Sequence, residues 1–244
     1  MQDSSRTAGP LAVEIVAPVL NERDSIEDFC VRVERIGYVG GLICVDNASS
    51  DGTLELLEKM PGVRVIRHNR NLGYGASIRD GIAATRSARV VIIDADLEYP
   101  PEIISELVAA LDRHPVVYGS RFLSSRPPDM PLLRRLGNRI VSSVFNLFFQ
   151  QSTTDFYTGV KALRREAIDC LRLSRNGFEH VVEMGAQLTR AGFHICEIPV
   201  SYEPRTRGVS KMRHLPELLK YVWFIARYRL GFDLRRHSSP GEAP

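Results

Sequence analysis

Four short apolar runs constrain this chain most: VEIVAPV (13–19), GLICVDN (41–47), VRVIRH (63–68) and VVIID (90–94). Each is rich in β-branched residues, and each leads into a segment with helical spacing. In DSIEDFCVRVERI (24–36), Ile26, Phe29, Val33 and Ile36 fall on one helical face. DGTLELLEKM (51–60), GASIRDGIAATRS (75–87) and PPEIISELVAALDRH (100–114) follow as helices, the last with proline in its first turn. Short buried strands alternating with helices predict a mainly parallel central sheet with helices on both faces, an α/β fold.

Sheets of this kind collect ligands at the carboxyl ends of their strands. Polar residues cluster there: Asn21-Glu22 after the first run, Asp46-Asn47 after the second, and Asp94 with Asp96 after the fourth. The spacing predicts a binding crevice along that edge.

Asp94 and Asp96 stand two apart, so in an extended segment both side chains point the same way while Ala95 turns aside. Two carboxylates held together raise one another's pKa unless a cation sits with them. A divalent ion is the simplest one; Mg²⁺ and Mn²⁺ take one or two carboxylates together with substrate phosphates. Glu98 is either a third ligand or a solvated loop residue. Taken alone, the Asp-x-Asp pattern also fits a turn ahead of Pro100-Pro101. Gly73 and Gly75 begin a dinucleotide-like pattern, but Ile78 stands where its last glycine belongs; a tight turn into the third helix is the expected reason for them.

With 44% apolar and 25% charged residues in 244, the chain is expected to form one large domain or a domain with a substantial appendage. Cys30, Cys44, Cys170 and Cys196 are too far apart for a zinc site and read as reduced thiols. No apolar run is long enough to span a bilayer, and the start MQDSSRTAGP lacks the pattern of a signal peptide. A cytoplasmic protein is expected. Residues 1–11 and 236–244 read as disordered tails, 12–212 as the catalytic domain and 213–235 as a basic amphipathic helix. The net charge of +3 is unevenly spread: residues 205–236 hold nine Lys or Arg against Glu217 and Asp233, leaving the remainder acidic. Such an end suits a phosphorylated ligand or an acidic membrane surface. No nucleic-acid partner is expected.

Beyond residue 115, VVYGSRF reads as a strand, LGNRIVSSVFNLFFQ (136–150) as an aromatic-rich helix, and FHICEIPVSYEPR (193–205) as another strand. HLPELLKYVWFIARYRLGF (214–232) sets Leu215, Leu218, Leu219, Val222, Trp223, Ala226 and Leu230 on one stripe. That stripe, and Ile140, Val144, Phe145, Phe148 and Phe149 of the earlier helix, would lie on a membrane surface, meet a membrane-anchoring subunit or a second copy, or pack into the core.

Seven motifs occur in order along the chain: APVLNE (17–22), VDNASSDGT (45–53), NLGYGASIRDG (71–81), DADLEYPPE (94–102), VVYGSRF (116–122), TDFYTGVKALRRE (154–166) and EIPVSYEPRTRGVSK (197–211). Together they resemble the family-2 glycosyltransferases of the dolichyl- and bacterial polyprenyl-phosphate branch. The resemblance implies the GT-A type nucleotide-sugar-binding fold. It implies a nucleoside pocket of Pro18, Leu20, Glu22, Val45, Asp46, Asp94 and Ala95. It implies that Asp94, Asp96 and Glu98 hold a Mg²⁺ or Mn²⁺ diphosphate. Asp96, Arg121, Arg205 and Lys211 would then be catalytic, and Arg121, Arg135, Arg205 and Lys211 would grip the acceptor phosphate or the leaving diphosphate. Arg139 is a further cation beside them. The donor would be GDP-mannose or a UDP-hexose, and the acceptor a polyprenyl phosphate at the inner face of a membrane.

A phosphate acceptor is already anionic and needs no general base, whereas a sugar hydroxyl does. Asp155, Glu179 and Glu183 are the carboxylates available for that rival. A nucleotidyltransferase would need a glycine-rich loop where PVLNERDS stands. A silent nucleotide-sugar-binding subunit would bind donor and turn nothing over.

Overall fold

The computed structural model describes residues 12–123, 130–203 and 214–230. The expected tails, Arg205 and Lys211 lie outside these residues. The four apolar runs form β1 (Val13–Val19), β2 (Leu42–Asp46), β3 (Arg64–Arg67) and β4 (Arg89–Ile92). Between and after them run α1 (Ile26–Arg35), α2 (Thr53–Leu57), α3 (Tyr74–Ala84) and α4 (Ile103–Ala110). The chain continues through β5 (Val116–Ser120), α5 (Leu132–Phe149), β6 (Lys161–Arg164) and α6 (Arg165–Ile168). It then forms α7 (His180–Arg190), β7 (Cys196–Pro199) and α8 (His214–Arg229).

The strands make one sheet in the order β3-β2-β1-β4-β6-β5-β7, parallel except for β6, which runs antiparallel to both its neighbours. Strand alternation sorts the core into two layers. Ile15, Ala17 and Val19 pack with Ile26, Phe29 and Val33 of α1 and with Ile104 and Leu107 of α4. Val16 turns to the other face, where Ile78, Phe145, Val182 and Ile225 come from α3, α5, α7 and α8. Every residue of β1 is buried, as a central strand covered on both faces requires.

Both aromatic-rich helices pack one face into the core, one of the arrangements expected of them, although the buried stripe of α8 is shifted from the one expected. The side chains of Leu215, Leu218 and Leu219 lie outside the described residues. On α5, Phe145 is fully buried and Val144 and Phe149 pack against the core, while Leu132, Leu136 and Leu147 remain exposed. On α8 the buried stripe is Tyr221, Phe224, Ile225 and Tyr228, and Trp223 and Leu230 face outward. Tyrosine explains the shift: its ring fills the core as well as leucine does, although its hydroxyl makes it read as polar. No described helix is long and apolar enough to cross a membrane.

Candidate active site

Because β1, β2 and β4 are parallel and adjacent, their carboxyl ends open on one edge. Sharp turns follow each of them, with Asn21, Ala48 and Leu97 in the left-handed region at φ 54°, 67° and 62°. The turns after β1 and β2 are tied together: Ser50 N donates to Asn21 Oδ1 at 2.8 Å, and Glu22 N to Thr53 Oγ1 at 3.0 Å. This explains VDNASSDGT, whose polar side chains fasten one loop to the next.

A cavity of about 410 Å³ lies at this edge. Of the residues expected at the site, Pro18, Leu20, Glu22, Asp94, Ala95, Asp96, Glu98 and Arg121 line it. Val45 and Asp46 sit behind the wall, fully buried at the end of β2. The Asp46 carboxylate accepts from Ser49 N at 3.2 Å through Oδ2, and its Oδ1 is buried without a hydrogen-bond partner. Arg135 stands off the wall, while Arg134 and Asn138, one turn apart on α5, line it.

Asp94 and Asp96 do share the cavity, but a turn brings them there. The β4 ladder ends at Ile92, with Ile93 N still donating to Val16 O at 3.1 Å, and the chain then bends through Leu97. Asp96 Oδ1 accepts from Glu98 N at 2.9 Å, which secures that bend. Asp94 Oδ1 accepts a 2.6 Å hydrogen bond from the Tyr74 hydroxyl. A Cβ on Gly159 would come within 2.3 Å of Asp94 Oδ2, so only glycine lets the backbone pass there. Burial, followed by the charge of Asp96, pushes the Asp94 carboxyl up to about 7, against the Tyr74 hydrogen bond and the charge of Lys161.

Lys161 is a buried cation on β6 whose ammonium donates to the Thr158 carbonyl. Burial lowers it to about 8, opposed by Asp94 and Asp155. Arg121 makes a fork to Asp155, Nε to Oδ2 at 2.6 Å and Nη2 to Oδ1 at 2.8 Å. The rings of Tyr99, Phe122 and Tyr202 surround its guanidinium at 5.3–5.9 Å. The other two candidate bases are also engaged. Glu183 accepts from Ser174 N, Ser174 Oγ and Arg175 N, and Glu179 pairs with Lys220 at 3.2 Å.

Among the described residues, no three carboxylate, imidazole or thiol side chains converge as a metal cage. The paired Asp94 and Asp96 fit the other arrangement, in which one or two carboxylates hold a hard cation and a diphosphate completes its shell. Burial first, and then the charge of Asp96, disfavour the ionised Asp94, and a cation held by the pair would oppose the second of these.

Sequence reasoning missed Tyr74, Arg134, Asn138 and Lys161. Lys161 had a legible signal, being a lone cation between Val160 and Ala162 in an otherwise apolar run. Tyr74 had none, because its target lies twenty residues away, in the turn beyond β4.

A model described as "Glycosyl transferase family 2" matches residues 14–172. The chain belongs to glycosyl transferase family 2. Among its family relatives, glycosyltransferase AglJ of Haloferax volcanii is 30% identical over 201 residues, covering 82% of this chain and 65% of that protein. The dolichol-phosphate mannosyltransferase of Pyrococcus furiosus is 26% identical over 235 residues, covering 91% of this chain and 66% of the relative. The undecaprenyl-phosphate 4-deoxy-4-formamido-L-arabinose transferase of Pseudomonas fluorescens is 32% identical over 213 residues, covering 82% and 59%. The chain therefore spans less than two thirds of these relatives' length.

Solved structures of similar fold include glucosyl-3-phosphoglycerate synthase of Mycobacterium tuberculosis with bound UDP. It superposes with a TM-score of 0.64 at 20% identity, over 90% of this chain and 79% of that one. Mannosyl-3-phosphoglycerate synthase of Rubrobacter xylanophilus superposes with a TM-score of 0.66 at 17% identity, over 96% and 79%. At such identities the likeness establishes the shared α/β fold.

Proposed function

We propose that this family-2 protein transfers a sugar from a nucleotide-diphosphate sugar to a polyprenyl phosphate, inverting the anomeric carbon. The observation that carries the reading is the composition of one cavity, where Asp94, Asp96 and Glu98 share the walls with Arg121, Arg134 and Lys161. Anionic groups suit a metal diphosphate, and the cations suit a second phosphate brought close to it. The names of the Pyrococcus and Pseudomonas relatives, a dolichol-phosphate and an undecaprenyl-phosphate transferase, support the acceptor class.

In this reading Pro18, Leu20, Glu22 and Ala95 seat the nucleoside, and the buried Asp46 stands behind them, holding the turn after β2 through Ser49 N. Asp94 and Asp96 would hold Mg²⁺ or Mn²⁺, with Glu98 beside them. When bound, that cation would neutralise charge on the departing diphosphate as a Lewis acid. An acceptor phosphate oxygen forms the new bond to the anomeric carbon. The bond from that carbon to the diphosphate breaks, and its electron pair leaves with the nucleotide. No proton need be removed, consistent with Asp155, Glu179 and Glu183 each being engaged elsewhere. Arg121 and Arg134, with Arg205 and Lys211, would hold the acceptor phosphate against its repulsion by the donor, a role Arg134 takes in place of Arg135. The protein would work from the cytoplasm, at the inner face of a membrane.

Incubation with a panel of nucleotide sugars, Mg²⁺ or Mn²⁺ and a short polyprenyl phosphate tests this, with products followed by mass spectrometry. A sugar-phosphate-lipid and free nucleoside diphosphate should appear in equal amounts and stop on chelation. Undiminished conversion in excess chelator, or transfer to hydroxyl acceptors alone, would overturn it.

A further inference from the structure

A second cavity, of about 490 Å³, lies apart from the candidate active site. Helix α3 joins the two. Tyr74, at its start, lines the first cavity, and Arg79, Ile82 and Ala83 line the second. The second cavity sits toward the opposite edge of the sheet. Next to its wall residue Arg86, Ser87 N donates to Glu14 at 2.8 Å, near the start of β1, whereas the first cavity lies past that strand's end.

Arg79, Arg86, Arg165 and Arg172 ring this cavity, and Asp169 is the lone acid among its described lining residues. Their hydrogen bonds go mainly to neutral groups. Arg86 Nη1 donates to the Ala83 and Thr85 carbonyls at 3.1 and 3.0 Å, and Arg172 Nη1 to those of Asp169 and Leu171 at 2.8 and 2.9 Å. Arg165 donates to the Ser87 carbonyl and the Thr85 hydroxyl at 2.8–3.0 Å and stands 3.9 Å from Asp169. Of the four, only Arg79 bonds a carboxylate, Asp80 at 2.9 Å. Other arginines of the chain meet acids at 2.6 Å, as in Arg32–Glu102 and Arg89–Asp112. A carbonyl fixes a guanidinium in place but does not cancel its charge, and it leaves most of the five donors unspent. The carbonyls ending α3 and α6 explain why Arg86 and Arg172 lie there. They do not explain the hollow between them. Its floor is apolar, with Ile82, Ile168 and Leu171 each no more than 8% exposed.

We infer that this cavity is a second binding site, which takes a small organic phosphate and steadies the segment 173–178. Its volume suits a molecule of that class. The phosphate oxygens bridge the arginines, and an apolar body covers the floor. An inorganic ion would leave the floor bare, and an uncharged ligand would leave the arginines unanswered. The site reaches the first cavity through one short segment. Leu173 lines the second cavity, while Gly177 and Phe178 line the first. Between them Asn176 is pinned to α3 twice: its side chain accepts from Arg79 Nη1 at 2.8 Å, and its carbonyl from Gly75 N at 2.7 Å. An occupant that bonds Arg79 and packs on Leu173 therefore holds a wall of the candidate active site. The inference does not depend on what accepts the sugar.

Phenyl phosphate probes the site by calorimetry on the full chain, with inorganic phosphate as the comparison. Chelator is present throughout, so that no metal draws either probe to Asp94 and Asp96. Phenyl phosphate should bind about tenfold more tightly than inorganic phosphate, through its ring on the floor, and about 0.5 M salt should weaken both. Arg86→Glu/Arg172→Glu should abolish binding. Ala83→Phe keeps every arginine and fills the hollow from an exposed position on α3, and it should abolish phenyl phosphate binding as well. Asp96→Asn should leave binding intact. Hydrogen exchange at residues 173–178 should slow when phenyl phosphate saturates the wild type, and not in Ala83→Phe. Binding that survives both cavity variants, or that disappears in Asp96→Asn, would place the phosphate elsewhere and overturn the inference. Equal affinity for the two probes, or no binding of either, would reduce the arginines to a solvated face. Unchanged exchange at full occupancy would disprove the link to the segment 173–178.

Discussion

The Tyr74 hydroxyl, at the first residue of α3, reaches across to Asp94 Oδ1 at 2.6 Å. A side chain at Gly159 would crowd Oδ2, so that bond and the missing Cβ together set where the carboxylate can sit. Tyr74 is itself held by Phe178, stacked at 5.2 Å between ring centres. A hydrogen bond donated to a carboxylate favours its charged form, so Tyr74→Phe should raise the Asp94 carboxyl further. Mn²⁺-dependent nucleotide binding, followed by calorimetry, should fall several-fold near pH 7 and recover as pH rises. An unchanged affinity across that range would remove Tyr74 from the site.

The Asp94 carboxyl also ties stability to pH. Its folded value of about 7 stands above the ordinary 3.8, so the folded state binds more protons between those values. The stability it contributes is complete below the unfolded value and is lost as pH rises through about 7. Relative to Asp94→Asn, the metal-free protein should therefore lose melting temperature between pH 6 and pH 8; His180 and Lys161, both lowered by burial, push the other way in both proteins. Identical pH profiles of the two proteins would contradict the assignment.

Legibility in the sequence followed the range of the interactions. The runs at β1, β2 and β4 announced a parallel sheet, and their trailing polar residues announced the edge at which Glu22, Asp94 and Asp96 line a cavity. β6 was invisible: four residues, KALR, inserted antiparallel between β4 and β5, carry no period. On α5, the register separating Arg134 from Arg135 depends on where the helix packs, which sequence spacing cannot supply. Gly73 and Gly75 were read as turn formers, and Gly73 does sit at φ 99°. Both also make room for another segment, since a Cβ on either would meet the Asn176 or Arg175 carbonyl within 2.4 Å.

Arg121 and Asp155 form a buried ion pair with two fork hydrogen bonds. Removing one partner from such a pair leaves an uncompensated charge, at a cost of about 3–5 kcal/mol. Asp155→Ala should therefore lower the melting temperature by about 10 °C. Arg121→Met/Asp155→Leu replaces the pair with packed apolar groups and should regain most of that stability. If Arg121 only braces the fold, the double variant should also regain sugar transfer. We expect it to stay inactive.

Gly75 separates packing from chemistry. Its N–H donates to the Asn176 carbonyl at 2.7 Å, docking the Arg175–Gly177 loop on the start of α3. The Cβ of Gly75→Ala would lie 2.4 Å from Arg175 O and 2.7 Å from Gly177 O, so the loop must move. Gly177 and Phe178 line the cavity, and Tyr74 precedes the substituted residue. Overpacking should cost about 1–3 kcal/mol, and donor KM should rise more than kcat falls. A lost melting temperature with unchanged kinetics would restrict this contact to stability.

Asp96→Asn removes a charge while keeping the local bond. Asparagine can present Oδ1 to Glu98 N, the 2.9 Å contact that secures the bend after β4, so the fold should hold. The lost charge acts in two places. A hard cation binds an amide oxygen more weakly than a carboxylate, so turnover should fall by hundreds-fold or more. Asp96 also helps to raise the Asp94 carboxyl, which should drop back toward its ordinary range in the variant. The pH dependence of the metal-free melt should then move to lower pH while the melting temperature near neutrality stays level or rises. Lost turnover with an unmoved pH profile would mean that the two carboxylates do not sense each other, and the idea of a shared cation between them would fail.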